Sequence, residues 1–518
     1  MSTGSEQESQ NVAAQSTVVA GMTLLSRLSG FARDVVLSYF FGASGIADAF
    51  FVAFRIPNFF RRLFAEGAFN QAFVPVLTRY RDGARDELLE FSRVMSGNLA
   101  AALLVFVLLG ILAAPGLVAI FAPGFWTDPA RFDLTTDMLR ITFPYLGFIS
   151  MTAFAGALLN SHHRYAVPAF TPVLLNVSLI CAVFLAAGYF SQPVFALAWG
   201  VLFAGVAQLL FQLPSLARLG LIVRPTISFK HAGAKKVGIL LVPAVFAASA
   251  SQVNALIGTI LASTLQTGSI SWLYYSDRLL ELPIGLVAVA LGTVLLPNLS
   301  RLDSANDTVG FSETLDWGVR VGIFFGVPAS AALYVLALPL VSSIFMHGAL
   351  TDIDARMTAL SLQAFAVGLL PLVGVKVLAP AYFSRQDTKT PFQFAVVAVV
   401  VNVVLSLALF RFMGHVGLAL ATACAAWVNA LLLWRGLVST GRYRPTPATG
   451  YALLRVALAT AVMVAGLGFL TPDSAQWLTA SVAVRAVWLT TAVTGGAGVY
   501  AVVLLLSGTR PGHLLHRT

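Results

Sequence analysis

Long apolar runs alternate with short polar connections along the whole chain. A helix needs about 20 consecutive apolar residues to cross a bilayer core. Runs of that order lie at 16–41, 47–64, 95–120, 137–160, 167–189, 194–216, 238–266, 271–299, 317–341, 357–383, 391–412, 415–435, 449–471 and 482–507. The pattern predicts an all-α polytopic membrane protein with about 14 transmembrane helices. Ahead of the first run, MSTGSEQESQNVAAQ is polar and lacks the basic lead of a cleavable signal. Residues 1–15 are therefore expected to be a disordered cytoplasmic tail.

The runs repeat. Val74-Pro75-Val76-Leu77-Thr78-Arg79 recurs as Leu296-Pro297-Asn298-Leu299-Ser300-Arg301, an offset of 222 (297 minus 75). Pro115 and Phe121 recur as Pro339 and Phe345 at 224 (339 minus 115), and Ser161 and Pro168 as Ser384 and Pro391 at 223 (384 minus 161). Six spans per copy is an even number, so the copies share an orientation, which predicts two parallel six-helix lobes with a cavity between them. The expected division is an N-lobe over 16–218, a cytoplasmic linker over 219–237 and a C-lobe over 238–440. A pair of extra helices over 449–507 and a cytoplasmic tail over 508–518 follow.

Composition agrees with the pattern. Hydrophobic residues make up 58% of the 518 and charged ones only 10%, against about 25% charged in soluble proteins, and mean hydropathy is +0.84. The net charge of +10 then reports topology. Placing the N-terminus in the cytoplasm puts Arg79, Arg81, Arg85, Lys230, Lys235, Lys236 and most other loop cations on that side, leaving Arg131, Arg356 and Arg411 opposite. Both termini are expected in the cytoplasm. Cys181 and Cys424 sit inside apolar runs without metal-ligand spacing, and no Walker-type phosphate loop is present.

Charges inside the runs carry the candidate chemistry, because each costs about 2.5–3.5 kcal/mol at the bilayer centre. On a helix of 3.6 residues per turn, Thr23, Ser26, Arg27, Gly30, Arg33 and Asp34 fall in one sector. Two readings follow: local pairing and snorkelling at a helix end, or a wet cationic cavity that receives an anion. Asp48, Arg55 and Arg62 are spaced by seven, while Arg61 points elsewhere. In the second copy Tyr274, Arg278, Glu281 and Gly285 share a helix face, and Arg278 can pair with Glu281 at i, i+3. Pro57, Pro283 and Pro371 interrupt spans, and such breaks are either ordinary kinks or transporter hinges. Asn176, Asn402 and Asn429 are read as interhelical hydrogen-bonding groups, Arg140 and Arg320 as snorkelling near span starts, and Arg485 as a headgroup contact.

SRLSGFARD, the block DAFFVAFRIPNFFRRLFAEGAFNQAFVPV, FAPGF, SWLYYSDRLLELPIGLVAVALGTVLLP and GLALATACAAWVNALLL resemble the MurJ (MviN-like) lipid II flippases of the multidrug/oligosaccharidyl-lipid/polysaccharide exporter superfamily. The likeness runs from about residue 16 to 507. It implies two six-helix lobes in a V with two C-terminal helices forming a lipid-tail groove. The implied function is transport, without enzymatic chemistry or cofactor. Undecaprenyl-pyrophosphate disaccharide pentapeptide, lipid II, would pass from the cytoplasmic to the periplasmic leaflet of the bacterial inner membrane by alternating access, for peptidoglycan synthesis. The family's functional residues match Arg27, Arg33, Arg61, Arg278 and Asp48 here, with Arg55, Asp277 and Glu281 as accessory cavity or gating residues. Some members bind sodium through an acid in the seventh span. This chain has Gly258 in that neighbourhood, so the metal is unknown and coupling stays open between membrane potential and a monovalent cation. Implied partners are lipid II and membrane lipids, with the cell-wall synthesis machinery as a further candidate and no nucleic acid.

Rival functions are weaker. A cationic-drug antiporter needs an acidic cavity, whereas the charged spans are net basic. A flippase for another polyprenyl-pyrophosphate glycan, such as an O-antigen or capsule unit, shares the diphosphate chemistry, and the long block match favours lipid II. A polytopic glycosyltransferase acting on the same lipid needs a catalytic carboxylate in a sizeable outer loop, and the stretch 124–136 is short. A scaffold for the wall-building machinery is the fourth reading.

Overall fold

The computed structural model describes residues 2–63 and 69–508, with side chains of 2–17, 246–251, 253, 286–290 and 293 left out. All regular elements among the described residues are helices. The chain divides into two compact units, Met1–Thr267 and Gly268–Thr518.

The first unit holds α1 (Ser2–Phe41), α2 (Gly45–Arg61), α3 (Phe69–Arg81), α4 (Arg85–Leu112), α5 (Ala114–Phe121), α6 (Pro129–Thr142), α7 (Tyr145–Ser161), α8 (Ala166–Ala186), α9 (Phe195–Arg218) and α10 (Ala232–Ser263). The second holds α11 (Ser269–Ser304), α12 (Thr308–Val335), α13 (Ala337–Ile344), α14 (Asp352–Ala366), α15 (Leu369–Phe383), α16 (Lys389–Ser439), α17 (Pro447–Leu470), α18 (Ser474–Thr479) and α19 (Val482–Leu506). Each apolar run read from the sequence lies mainly on one or two of these helices, and residue 64 lies outside the described set. Among the described residues, eight helices are long and apolar enough to cross a membrane, or nine if the bent pair α14–α15 counts as one. α16 is two helices that meet at a kink at Gly414 (φ 56°), where a left-handed backbone favours glycine, and they carry the two runs predicted for 391–412 and 415–435. α1 begins at Ser2, taking in the stretch composition reads as a disordered lead, and 509–518 lie outside the described residues.

The internal repeat reappears in the helix boundaries. α4 and α12 start at 85 and 308 and end at 112 and 335, an offset of 223 at both ends (308 minus 85, 335 minus 112). The eight-residue helices α5 and α13 keep it (337 minus 114, 344 minus 121), as do the starts of α6 and α14 (352 minus 129) and of α8 and α16 (389 minus 166). Each copy therefore breaks a long helix and follows it with a short one. Pro115 sits in the first turn of α5, where its missing N–H costs nothing. Pro371 likewise lies in the first turn of α15, just after the 40° bend from α14.

Phenylalanine packing builds the first core, with Phe73 stacked on Phe69 and Phe91 and tilted against Phe154. α4 presents an exposed apolar stripe of Leu104, Val105, Leu108, Leu109 and Leu112, the signature of a lipid-facing helix surface. In the second unit α17 and α19 pack on each other and against α12 and α13 through Leu336, Val456, Met463, Ala492 and Leu504.

The sequence places the span over 238–266 at the head of the C-lobe, whereas in the structure α10 packs within the first unit. Its C-terminal end is tied there by the Gly124 N–H donating to Ser263 Oγ (3.1 Å) and by Arg131 Nη2 donating to Thr267 Oγ1 (2.6 Å). Gly124 is required at that contact, since a Cβ would meet the Ser263 carbonyl.

Candidate functional site

The charged sector of α1 closes against α8. Arg33 donates from Nε and Nη2 to Asp34 Oδ1 (2.9 and 2.7 Å) and from Nη1 to Asn176 Oδ1 (3.0 Å). Asn176 in turn donates to Ser29 Oγ (2.9 Å) and to the Ser26 carbonyl (3.2 Å). Arg33 is 4% exposed and Asp34 0%, so neither snorkels. Adjacent residues on a helix point about 100° apart, so this pair forms only because the arginine stem bends back over Asp34. Asn176, which the sequence gives a bridging part, bonds the guanidinium directly. Gly30 lies beneath its amide. Arg27, on the same helix, is exposed outside this knot.

α2 opens on Ser44, whose hydroxyl accepts from the Ala47 N–H as an N-cap. Asp48 is buried in the first turn, where a carboxylate also complements the helix dipole. Arg55 donates to Thr259 Oγ1 on α10 (2.8 Å) and Arg61 Nε to Asn58 Oδ1 (2.9 Å). Pro57 is buried inside the helix and has no N–H for the Ala53 carbonyl four residues earlier. Thr142 of α6 donates its hydroxyl to that carbonyl instead (3.0 Å), so a proline break is repaired from a neighbouring helix.

In the second unit Arg278 pairs with Glu281 (2.8 Å), bonds the Tyr274 hydroxyl (3.3 Å) and lies over the Tyr274 ring at 5.2 Å. Glu281 and Asp277 are exposed. α11 runs through Pro283 without a break in helical assignment. Among the described residues, no group of three or more His, Cys, Asp or Glu is placed to hold a metal ion.

Two charged centres differ from their sequence reading. Arg485 is 6% exposed and donates to the carbonyls of Ser342 (3.0 Å), Met346 (3.2 Å) and Leu478 (2.8 Å). It caps the ends of α13 and α18 and is not placed to meet a headgroup. Asp316, one turn before Arg320 on α12, is 1% exposed. It accepts from Tyr443 Oη (2.8 Å), Thr446 Oγ1 (2.7 Å), Thr449 Oγ1 (2.8 Å) and the Thr446 N–H (3.4 Å), with Arg320 Nε at 3.5 Å. Arg320 therefore pairs inward. Burial first, and then the bond to Asp316, pushes the Tyr443 phenol above its usual range. The available signal was an acid followed at i+4 by an arginine within an apolar stretch, with threonines at 446 and 449 more than a hundred residues on.

These internal charges are paired or hydrogen-bonded within and between helices that also carry exposed apolar stripes. The family model for lipid II flippase MurJ matches residues 37–488. A MurJ relative from Vibrio cholerae is 45% identical over 501 residues, 95% of each chain. The lipid II flippase MurJ of Burkholderia cenocepacia is 41% identical, over 87% of this chain and 88% of its own. A solved structure of lipid II flippase MurJ in an inward closed conformation superposes with a TM-score of 0.79 at 26% identity, covering 94% of this chain and 98% of that one. Matched from near its first span to its last, this chain belongs to the MurJ lipid II flippase family.

Proposed function

We propose that this protein moves lipid II across the bacterial inner membrane, from the cytoplasmic to the periplasmic leaflet, by alternating access with both termini in the cytoplasm. The observation that carries the reading is Arg33, an arginine buried inside an apolar helix pair with a carboxylate and an amide as partners, in a chain of this family. Guanidinium groups match diphosphate oxygens two at a time. Arg27, Arg33, Arg61 and Arg278 are the proposed diphosphate-binding residues. Asp34 and Glu281 hold Arg33 and Arg278 in the absence of substrate and yield them when diphosphate arrives. Asp48, Arg55 and Asp277 adjust the local charge, and the polyprenyl tail stays in contact with lipid.

The diphosphate's own charge supplies a driving force. Moving an anion outward across an inside-negative membrane runs with the potential and releases about 2.3 kcal/mol per charge per 100 mV, which makes membrane potential the proposed energy source. Cells depleted of the protein should accumulate lipid II that an external probe cannot reach. Unchanged exposure with failed polymerisation would point to an enzyme acting on the lipid instead. Arg33→Ala and Arg278→Ala should each fail to restore growth at normal membrane levels, and full growth would remove them from the binding set.

A further inference from the structure

Between α9 and α10 the chain is neither helical nor a loop held clear of the fold. Residues 221–231 form a strap laid along α4. Arg85 donates to the Leu219 carbonyl (2.9 Å) and the Thr226 N–H to the Arg93 carbonyl (3.0 Å). Asn98 then holds both backbone groups of Ser228, donating from Nδ2 to its carbonyl (2.8 Å) and accepting its N–H at Oδ1 (2.9 Å). The strap thus climbs α4 from Arg85 past Arg93 to Asn98. It turns back at once, because His231 packs beside Tyr80 and Phe91 and caps α10 by accepting from Gly233 and Ala234.

The tip lies deep. Arg93 is the last charged residue of α4 before an uncharged stretch that runs to Leu112. Asn98 stands five residues further on, about 7 Å along the helix at 1.5 Å per residue. Backbone polar groups at such a level must be satisfied internally, and the two-armed amide of Asn98 does that for Ser228. Gly97 makes room, since a Cβ there would collide with the Thr226 carbonyl. At the tip Ile227 is 60% and Phe229 79% exposed, while Arg224, Lys230, Lys235 and Lys236 around it are exposed cations.

We propose that this strap is a membrane-inserted anchor whose partner is an anionic lipid surface. Ile227 and Phe229 enter the acyl region of the leaflet at the N-terminal end of α4, and the four cations bind anionic headgroups above them. Apolar tips flanked by cations are what such a surface selects. Since α10 starts directly from the strap, the anchor fixes the height of its first turn in that leaflet. The proposal is independent of what the protein carries.

The test uses the full chain with Cys181→Ser and Cys424→Ala, reconstituted in phosphatidylglycerol/phosphatidylethanolamine vesicles, with a nitroxide attached at Phe229→Cys or at Arg224→Cys. Collision with oxygen should exceed collision with a water-soluble nickel chelate at 229, and the reverse should hold at 224. A 229 label as open to nickel as the 224 label overturns insertion, and leaves a water-facing patch for a protein partner. Asn98→Leu should raise nickel access at 229 several-fold, and no change would show that the clamp does not set the depth. Replacing phosphatidylglycerol by phosphatidylcholine should raise nickel access at 229, and Lys230→Glu with Lys235→Glu should abolish that dependence. Equal depth in both lipids overturns the anionic preference.

Discussion

Replacing Asp316 by alanine tests whether one buried carboxylate holds the C-terminal helices in place. The Asp316 carboxylate gathers three hydroxyls and one N–H from the segment that leads into α17, with Arg320 behind it. Tyr443 is 1% exposed, so its hydroxyl has no water to turn to, and stranding it costs about 1–3 kcal/mol. Thr446 and Thr449 are half-buried and recover solvent bonds at little cost. Arg320 keeps part of its charge buried with its carboxylate gone. Removing one side of a buried ion pair costs about 3–5 kcal/mol, and the partial exposure of Arg320 puts the expected total near the lower end, about 3 kcal/mol.

At 1.4 kcal/mol per factor of ten, that is a rise of about a hundredfold in the opening of the 443–449 segment. Hydrogen exchange on the reconstituted protein reads it directly at the amides of Tyr443, Arg444, Thr446, Ala448 and Thr449, with amides of α7 as internal control. Asp316→Asn keeps an acceptor and should lie between wild type and Asp316→Ala. Tyr443→Phe combined with Asp316→Ala should cost less than the sum of the single changes, since neighbours in one network couple by about 0.5–3 kcal/mol. Exchange within threefold of wild type in Asp316→Ala would refute the reasoning, because the segment would then be held by apolar packing alone.

Asn176→Ala removes the Arg33 Nη1 acceptor and two bonds to α1, and should lower the thermal midpoint by the equivalent of about 2–3 kcal/mol. Its effect should be less than additive with Arg33→Ala, and strict additivity would break the link. Thr142→Val leaves the Ala53 carbonyl beside Pro57 without its donor at a cost of about 1–3 kcal/mol, while Thr142→Ser should restore stability; equal midpoints for Val and Ser would refute the repair. In the connection before α16, bonds from the backbone and side chain of Thr390 hold the Asp387 carboxyl below its usual value. A lowered folded-state pKa stabilises above the unfolded value of about 3.9 and is lost as pH falls through the folded value. Opening of 384–390 in hydrogen exchange should therefore rise on acidification below about pH 4 and should lose that dependence in Asp387→Asn.

Much of the fold is legible in the sequence because the bilayer imposes a length and a composition that periodicity alone can read. The repeat is legible too, because Pro115 and Pro339 mark the same helix break in both copies. What stays hidden is the identity of partners. The sector containing Arg27, Arg33 and Asp34 is visible as a wheel, yet nothing local says that Asn176, 143 residues away, completes it. Arg485 shows why: at a span start a cation facing headgroups and one capping two helix ends give the same local pattern, and only the arrival of Ser342, Met346 and Leu478 decides between them.

The linker is the sharper case. By composition 219–237 is a polar connection, but Gly97 and Asn98, which dictate its path, lie just inside the start of an apolar run. A lone glycine there counts as tolerated and a lone asparagine as an interhelical bond. Together they make room for a foreign backbone and satisfy it. In a membrane protein the informative polar residue is often the one whose own helix has no use for it, since a group that pays for burial without a local partner is being kept for a distant one.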